Sequence, residues 1–101
     1  MTAKIKIPKK KVAAFCQQNH IREFALFGSI LRDDFSSQSD VDVLVDFDPE
    51  AEANLTLLDL ARMQIELSDM FQRNVDLVLR DGLKPFVKDE VLRHLEVVYA
   101  V

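Results

Sequence analysis

Residues 26–48 read LFGSILRDDFSSQSDVDVLVDFD. The second half of this stretch alternates. Val41, Val43, Val45 and Phe47 are apolar, and Asp40, Asp42, Asp46 and Asp48 fall between and beside them, with Leu44 as the exception. Strand side chains two apart share a face, so residues 41–47 read as a strand with one apolar face and one acidic face. The stretch holds six aspartates, no lysine and one arginine. Like charges this dense repel one another, so the pattern asks what cation gathers them.

Before the acidic strand, residues 21–27 read as a second short strand that Gly28 ends. A short helix is expected over 29–34 and a polar loop over 35–39. Pro8 suits the first turn of a helix over 8–19, with Val12, Phe15 and Cys16 at helical spacing. Beyond the acidic strand, residues 49–53 read as a loop. Asn54 is a good N-cap, and Leu57, Leu58, Leu60, Ala61, Ile65, Leu67 and Phe71 make a broad apolar face on the longest helix, 55–71. Residues 74–79 are a third strand. Asp81 and Gly82 signal a turn, and a last helix covers 85–98. The expected order is α-β-α-β-α-β-α.

Composition narrows the function classes. At 101 residues, residues 1–101 are expected to form one domain. Apolar residues are 49% and charged ones 30%, which is globular composition rather than disorder. The net charge of -4 argues against direct nucleic-acid binding by the surface as a whole. The five lysines between Lys4 and Lys11 read as a solvated face. Cys16 is the single cysteine, so neither an internal disulfide nor a zinc-ligand set is available, and a cytoplasmic setting is expected. No apolar stretch has membrane-spanning length and no signal peptide is visible.

Asp40 and Asp42 share a strand face. Paired carboxylates suit Mg²⁺, which takes oxygen ligands and leaves positions open for substrate phosphates. Two such ions can clamp the attacking and leaving oxygens of an in-line displacement. Asp76, inside the apolar run NVDLVL, is the candidate third acid; burying it unpaired would be costly, a cost that a metal would remove. Gly28 lets a phosphate approach the backbone, and a helix starting at Ser29 would offer N–H groups and a hydroxyl to it. Arg32 follows one turn on, and Ser39 precedes Asp40. Asp33, Asp34, Asp46 and Asp48 are expected simply to face water. His20 and His94 read as surface positions without chemistry. Cys16 reads as a core residue, and Tyr99 as packing near the chain end.

The segment GSILRDDFSSQSDVDVLVDF resembles the minimal nucleotidyltransferase domain of the DNA polymerase beta-type superfamily. The hallmark is Gly-Ser, a spacer, Asp-x-Asp and a third acid on a later strand, here Gly28, Ser29, Asp40, Asp42 and Asp76. The resemblance continues through residues 55–79 and 83–101. It implies an α+β fold, a two-layer arrangement with a small mixed sheet and helices packed on one side. It also implies transfer of a nucleotide from ATP with Mg²⁺. Asp40, Asp42 and Asp76 would be the catalytic and metal-holding acids; Gly28, Ser29, Arg32 and Ser39 would hold the nucleotide. Many such proteins are antitoxins of a HEPN toxin, some adding AMP to a toxin tyrosine, so a HEPN-family protein is the implied partner. Two alternatives are neutralisation by binding alone with a vestigial site, and transfer to a small molecule or an RNA end. The chain departs from the family pattern at Asp33 and Gln72, where glycines are common.

Overall fold

The computed structural model of the protein describes residues 6–31 and 39–101. Along the chain run α1 (Lys9–Gln18), β1 (Ile21–Phe27), a 3-10 turn (Gly28–Leu31) and β2 (Val41–Phe47). Then follow α2 (Pro49–Ala53), α3 (Leu57–Phe71), β3 (Val75–Leu79), a second 3-10 turn (Arg80–Gly82), α4 (Pro85–Arg93) and β4 (Glu96–Ala100). The strands form one mixed sheet in the order β3-β2-β1-β4. β1 pairs antiparallel with β2 and with β4, whereas β2 and β3 run parallel. A parallel pair needs a crossover, and α2 with α3 supplies it.

The alternation in β2 decides which face is covered. Val41, Val43, Val45 and Phe47 are buried against Ile21, Phe24 and Leu26 of β1, Val12, Phe15 and Cys16 of α1, and Met63, Leu67 and Phe71 of α3. The rings of Phe24 and Phe71 stack with centroids 6.3 Å apart, tying sheet to helix. Burial pushes the Cys16 thiol pKa up to about 12, so it stays protonated and inert. α1 and α3 thus cover one face, and the acids of β2 point to the other.

β3 is an edge strand, and α3 shields its outer side. The Val75 amide donates to Ser68 Oγ at 3.0 Å and the Leu77 amide donates to Gln64 Oε1 at 3.2 Å. These bonds satisfy backbone donors that an edge would leave open. They also hold the segment on either side of Asp76 in place.

Both β1 and β2 have the boundaries expected from sequence, but three readings need correction. Residues 49–53 are a helix, not a loop. Asp48 accepts from the Glu50 amide at 3.0 Å and Pro49 occupies the first turn, so residues that favour turns here start a helix. Asn54 does not begin α3. It ends α2, donating from its side-chain amide to the Glu50 carbonyl at 2.9 Å. α3 is capped by Thr56, whose hydroxyl accepts from the Asp59 amide while Asp59 accepts from the Thr56 amide. Hydrogen bonding to the Thr56 backbone amide, and then to its hydroxyl, holds the Asp59 carboxyl below its ordinary value. Finally, the last helix stops at Arg93 and residues 96–100 form β4. Val97, Val98 and Tyr99 are strand formers, and pairing with the open edge of β1 outweighs the helical pattern.

The apolar face of α3 is narrower than its sequence suggests. Leu57, Leu58 and Ile65 are 85%, 82% and 66% exposed. Only Met63, Leu67 and Phe71 on this helix are buried.

Candidate nucleotide-transfer site

The site builds from the junction of β1 and β2. β1 ends at Phe27, whose Cα partner across the antiparallel ladder is Asp42. Gly28 then turns the chain with φ +74°, in the left-handed region where a side chain is strained. A Cβ at this position would run into the Asp42 carboxylate and lie 3.2 Å from its Cγ. Glycine is therefore required twice, once for the backbone turn and once for the closeness of the acid. Ser29 follows within the same 3-10 turn. Arg32 lies outside the described residues, as do Asp33 and Asp34.

On the other side of β2, the parallel register makes Asp42 and Asp76 Cα partners. Neighbouring strands lie about 4.8 Å apart, so the two carboxylates leave one face of the sheet side by side. Asp40 sits two residues before Asp42, with its backbone already leaving the strand. Asp42 is half-buried; Asp40 and Asp76 are exposed. Exposure of Asp76 corrects one step of the sequence argument, because no burial cost arises there. Ser39 is half-buried, and its carbonyl accepts from Arg73 Nη1 at 3.5 Å. Arg73 thereby ties the segment entering β2 to the turn entering β3. Sequence reasoning passed over this arginine, whose only signal was its position three residues before Asp76.

A second acid group lies toward the other end of β2. Among the described residues, Asp46, Glu52 and Asp81 bring carboxylate oxygens within 4.8 Å of one another. Asp40, Asp42 and Asp76 do not meet that spacing. The Asp46 group is partly neutralised by Arg22, 3.6 Å from Asp46. Partial burial raises the Glu52 carboxyl above its ordinary value of 4.5, helped by the charge and hydrogen bonding of Asp81 and by Asp46.

The two ends differ in what surrounds them. Beside Asp42 opens a cleft of about 550 Å³ lined by Phe27, Gly28, Leu31, Asp42, Glu90, Val91 and His94. α4 thus forms one wall of the space at the Asp42 carboxylate. His94 is exposed, as its sequence position suggests, and also borders this cleft. The available signal was helical spacing: positions 90, 91 and 94 share one side of α4.

The donors at this end are of the type a divalent cation takes. They are oxygen ligands from two adjacent strands on one sheet face, beside a glycine cradle that a Cβ would fill. A fold that sets such acids beside a glycine turn and an open cleft belongs to the class that handles phosphate esters. The nucleotidyltransferase domain family matches residues 9–98, and the chain belongs to that family. "Protein adenylyltransferase MntA" of Thermococcus cleftensis is 39% identical over 79 residues, spanning 78% of this chain and 74% of the relative. A solved structure described as a "putative minimal nucleotidyltransferase" superposes with a TM-score of 0.71 at 32% identity, covering 87% of this chain and 86% of that one. A chain in the complex of a tri-AMPylated Shewanella oneidensis HEPN toxin with MNT antitoxin shares the fold, with a TM-score of 0.66 at 18% identity. That match covers 92% of this chain and 70% of the other.

Proposed function

We propose that this chain transfers AMP from ATP, with Mg²⁺, to a tyrosine hydroxyl of a HEPN-family toxin, and so acts as its antitoxin. The observation that carries the reading is the register pair Asp42 and Asp76 beside Gly28, in a chain 39% identical to a protein adenylyltransferase. The fold shared with a complex of an AMPylated HEPN toxin and an MNT antitoxin supports the choice of partner.

Asp40, Asp42 and Asp76 would hold the metal. When bound, Mg²⁺ supplies positive charge to the phosphates and to the oxygens between which the phosphoryl group passes. The missing side chain at Gly28 makes room for the Asp42 carboxylate itself, at the turn where a phosphate would approach the backbone. Ser29, Ser39 and Arg32 complete the nucleotide holders of this reading. In the transfer, the acceptor oxygen bonds to the α-phosphorus, the bond from that phosphorus to the bridging oxygen breaks, and pyrophosphate leaves. Asp76 takes the hydroxyl proton. Its exposure suits this role, since an incoming acceptor can reach it.

The acceptor comes from another molecule in this reading. Tyr99 is the single tyrosine, and it lies in β4 packed against the core. Catalysis then rests on positioning and electrostatics, the usual terms for phosphoryl transfer. We place the reaction in the cytoplasm, in keeping with one buried free thiol. Among the described residues, no helix is long and apolar enough to cross a membrane.

The test is transfer of label from α-labelled ATP to a co-expressed partner protein. Label should appear on the partner and require Mg²⁺. No labelling by the unaltered protein, or full labelling after chelation, would contradict the proposal.

A further inference from the structure

The cleft beside Asp42 is too apolar along its length to be a phosphate site throughout. Phe27, Leu31 and Val91 line it, with Leu31 only 4% exposed. Apolar side chains desolvate a flat ring at little cost, whereas a triphosphate beside them would lose its hydration without replacement. The α4 wall adds the carboxylate of Glu90, which repels phosphate. Polyphosphate and base therefore separate along the cleft, with phosphates at the Gly28 and Asp42 end and the ring toward α4.

Glu90 is suited to reading that ring. Its Oε1 lies 3.6 Å from His94 Nε2, and its Oε2 lies 3.9 Å from Arg93 Nη1. Both separations exceed hydrogen-bond length, so the two neighbours steer the carboxylate while its lone pairs remain available to a ligand. A carboxylate accepts hydrogen bonds and repels carbonyl oxygens. It would favour a base with an exocyclic amine and disfavour one with a carbonyl at the same place.

We propose that the α4 side of this cleft is the base subsite of the transfer site, in which Glu90 accepts a hydrogen bond from the 6-amino group of adenine and so selects ATP. The inference rests on the nucleotidyl-transfer reading and adds the origin of nucleotide choice. Val91 packs on the ring with Phe27 and Leu31. His94 is a positioning residue, acting through Glu90.

The test compares binding of ATP, ITP and inorganic tripolyphosphate to the full chain with Mg²⁺ present. ITP replaces the 6-amino group by a carbonyl and adds a proton at N1, and it keeps the sugar and the triphosphate. The unaltered protein should bind ATP about threefold more tightly than ITP, the scale of one hydrogen bond to a charged group reduced for the 70% exposure of the Glu90 side chain. Glu90→Ala should bring that ratio close to one and should not weaken tripolyphosphate binding. Val91→Arg, which fills the cleft from an exposed helix, should weaken ATP and ITP alike and spare tripolyphosphate. His94→Gln should lower the ATP:ITP ratio less than Glu90→Ala does. Equal binding of ATP and ITP by the unaltered protein would overturn the inference, as would an unchanged ratio in Glu90→Ala. Loss of tripolyphosphate binding in Glu90→Ala would also overturn it, because the wall would then serve phosphates. If Asp42→Asn abolishes label transfer while Glu90→Ala keeps the ratio, only the base subsite fails. If Asp42→Asn still transfers label, the transfer reading itself fails.

Discussion

One strand carries acids at both ends, and the ends are built differently. At the start of β2, Asp42 stands against a left-handed glycine, in register with Asp76, and opens on a cleft. Toward its end, Asp46 meets Arg22 and closes with Glu52 and Asp81 into the tighter carboxylate group. If gathered carboxylates alone marked a transfer site, the second end would be the better candidate. That end also borders a cleft, of about 450 Å³, but Arg22, Asp46, Glu52 and Asp81 make its lining mostly charged, and no left-handed glycine stands against its acids among the described residues. Chemistry at phosphate depends on what lines the space beside the acids as much as on the acids themselves.

The largest effect should come at the first end. Asp76→Asn keeps the shape of an exposed side chain and removes one charge and one proton acceptor. It should cut label transfer by a hundredfold or more, on the scale of about 10²–10³ for removing one transition-state contact. Thermal unfolding should be unchanged. A mutant with full activity would remove Asp76 from the site and leave the register pair without consequence.

Gly28→Ala should act on both fold and function. The added Cβ meets the Asp42 carboxylate, and the positive φ is strained for alanine. A loss of about 1–2 kcal/mol is expected from the backbone alone. Denaturant titration measures it, and transfer activity at a temperature where the mutant is folded should still fall severalfold or more. Normal transfer by a merely destabilised protein would show that closeness to Asp42 has no functional meaning.

Asp81→Asn probes the other end, and transfer should stay within about twofold of the unaltered protein, as for a surface change away from the site. Glu52 gives the smallest and most specific signal. Its folded pKa lies above the ordinary 4.5, so between those values the folded protein holds a proton that the unfolded chain has released. Stability therefore falls as pH rises from 4.5 through the raised value. Glu52→Gln should flatten that part of the curve of Tm against pH, and Asp81→Asn should reduce its slope. An unchanged slope in both would mean that these acids do not crowd one another in solution.

Much of the first end was legible in the sequence because its signals are local. Strict alternation gave β2 its boundaries and its two faces, and Gly28 marked the end of β1. Pairing of Asp42 with Asp76 was expected only as a third acid arriving from a later strand; the parallel register that sets them side by side belongs to tertiary structure. Other features escaped for related reasons. Asp48 and Pro49 favour turns and helix starts equally, so α2 read as a loop. Residues 96–98 continue a helical pattern, and with 99 and 100 they form a strand because β1 has an open edge to pair with. Leu57, Leu58 and Ile65 fit an amphipathic helix, yet the sheet is narrow enough that only the Met63, Leu67 and Phe71 stripe is covered. The α4 wall of the cleft was invisible because Glu90 and His94 lie about fifty residues from Asp42, and nothing local joins them.

The most direct test sets the two ends of β2 against each other in one assay. Asp42→Asn and Asp46→Asn are made in the full chain, co-expressed with the partner protein and supplied with α-labelled ATP and Mg²⁺. The account predicts that Asp42→Asn loses label transfer by about a thousandfold, while Asp46→Asn transfers as the unaltered protein does. Retained transfer in Asp42→Asn, or its loss in a stably folded Asp46→Asn, would contradict the account and move the reaction to the other end of the strand.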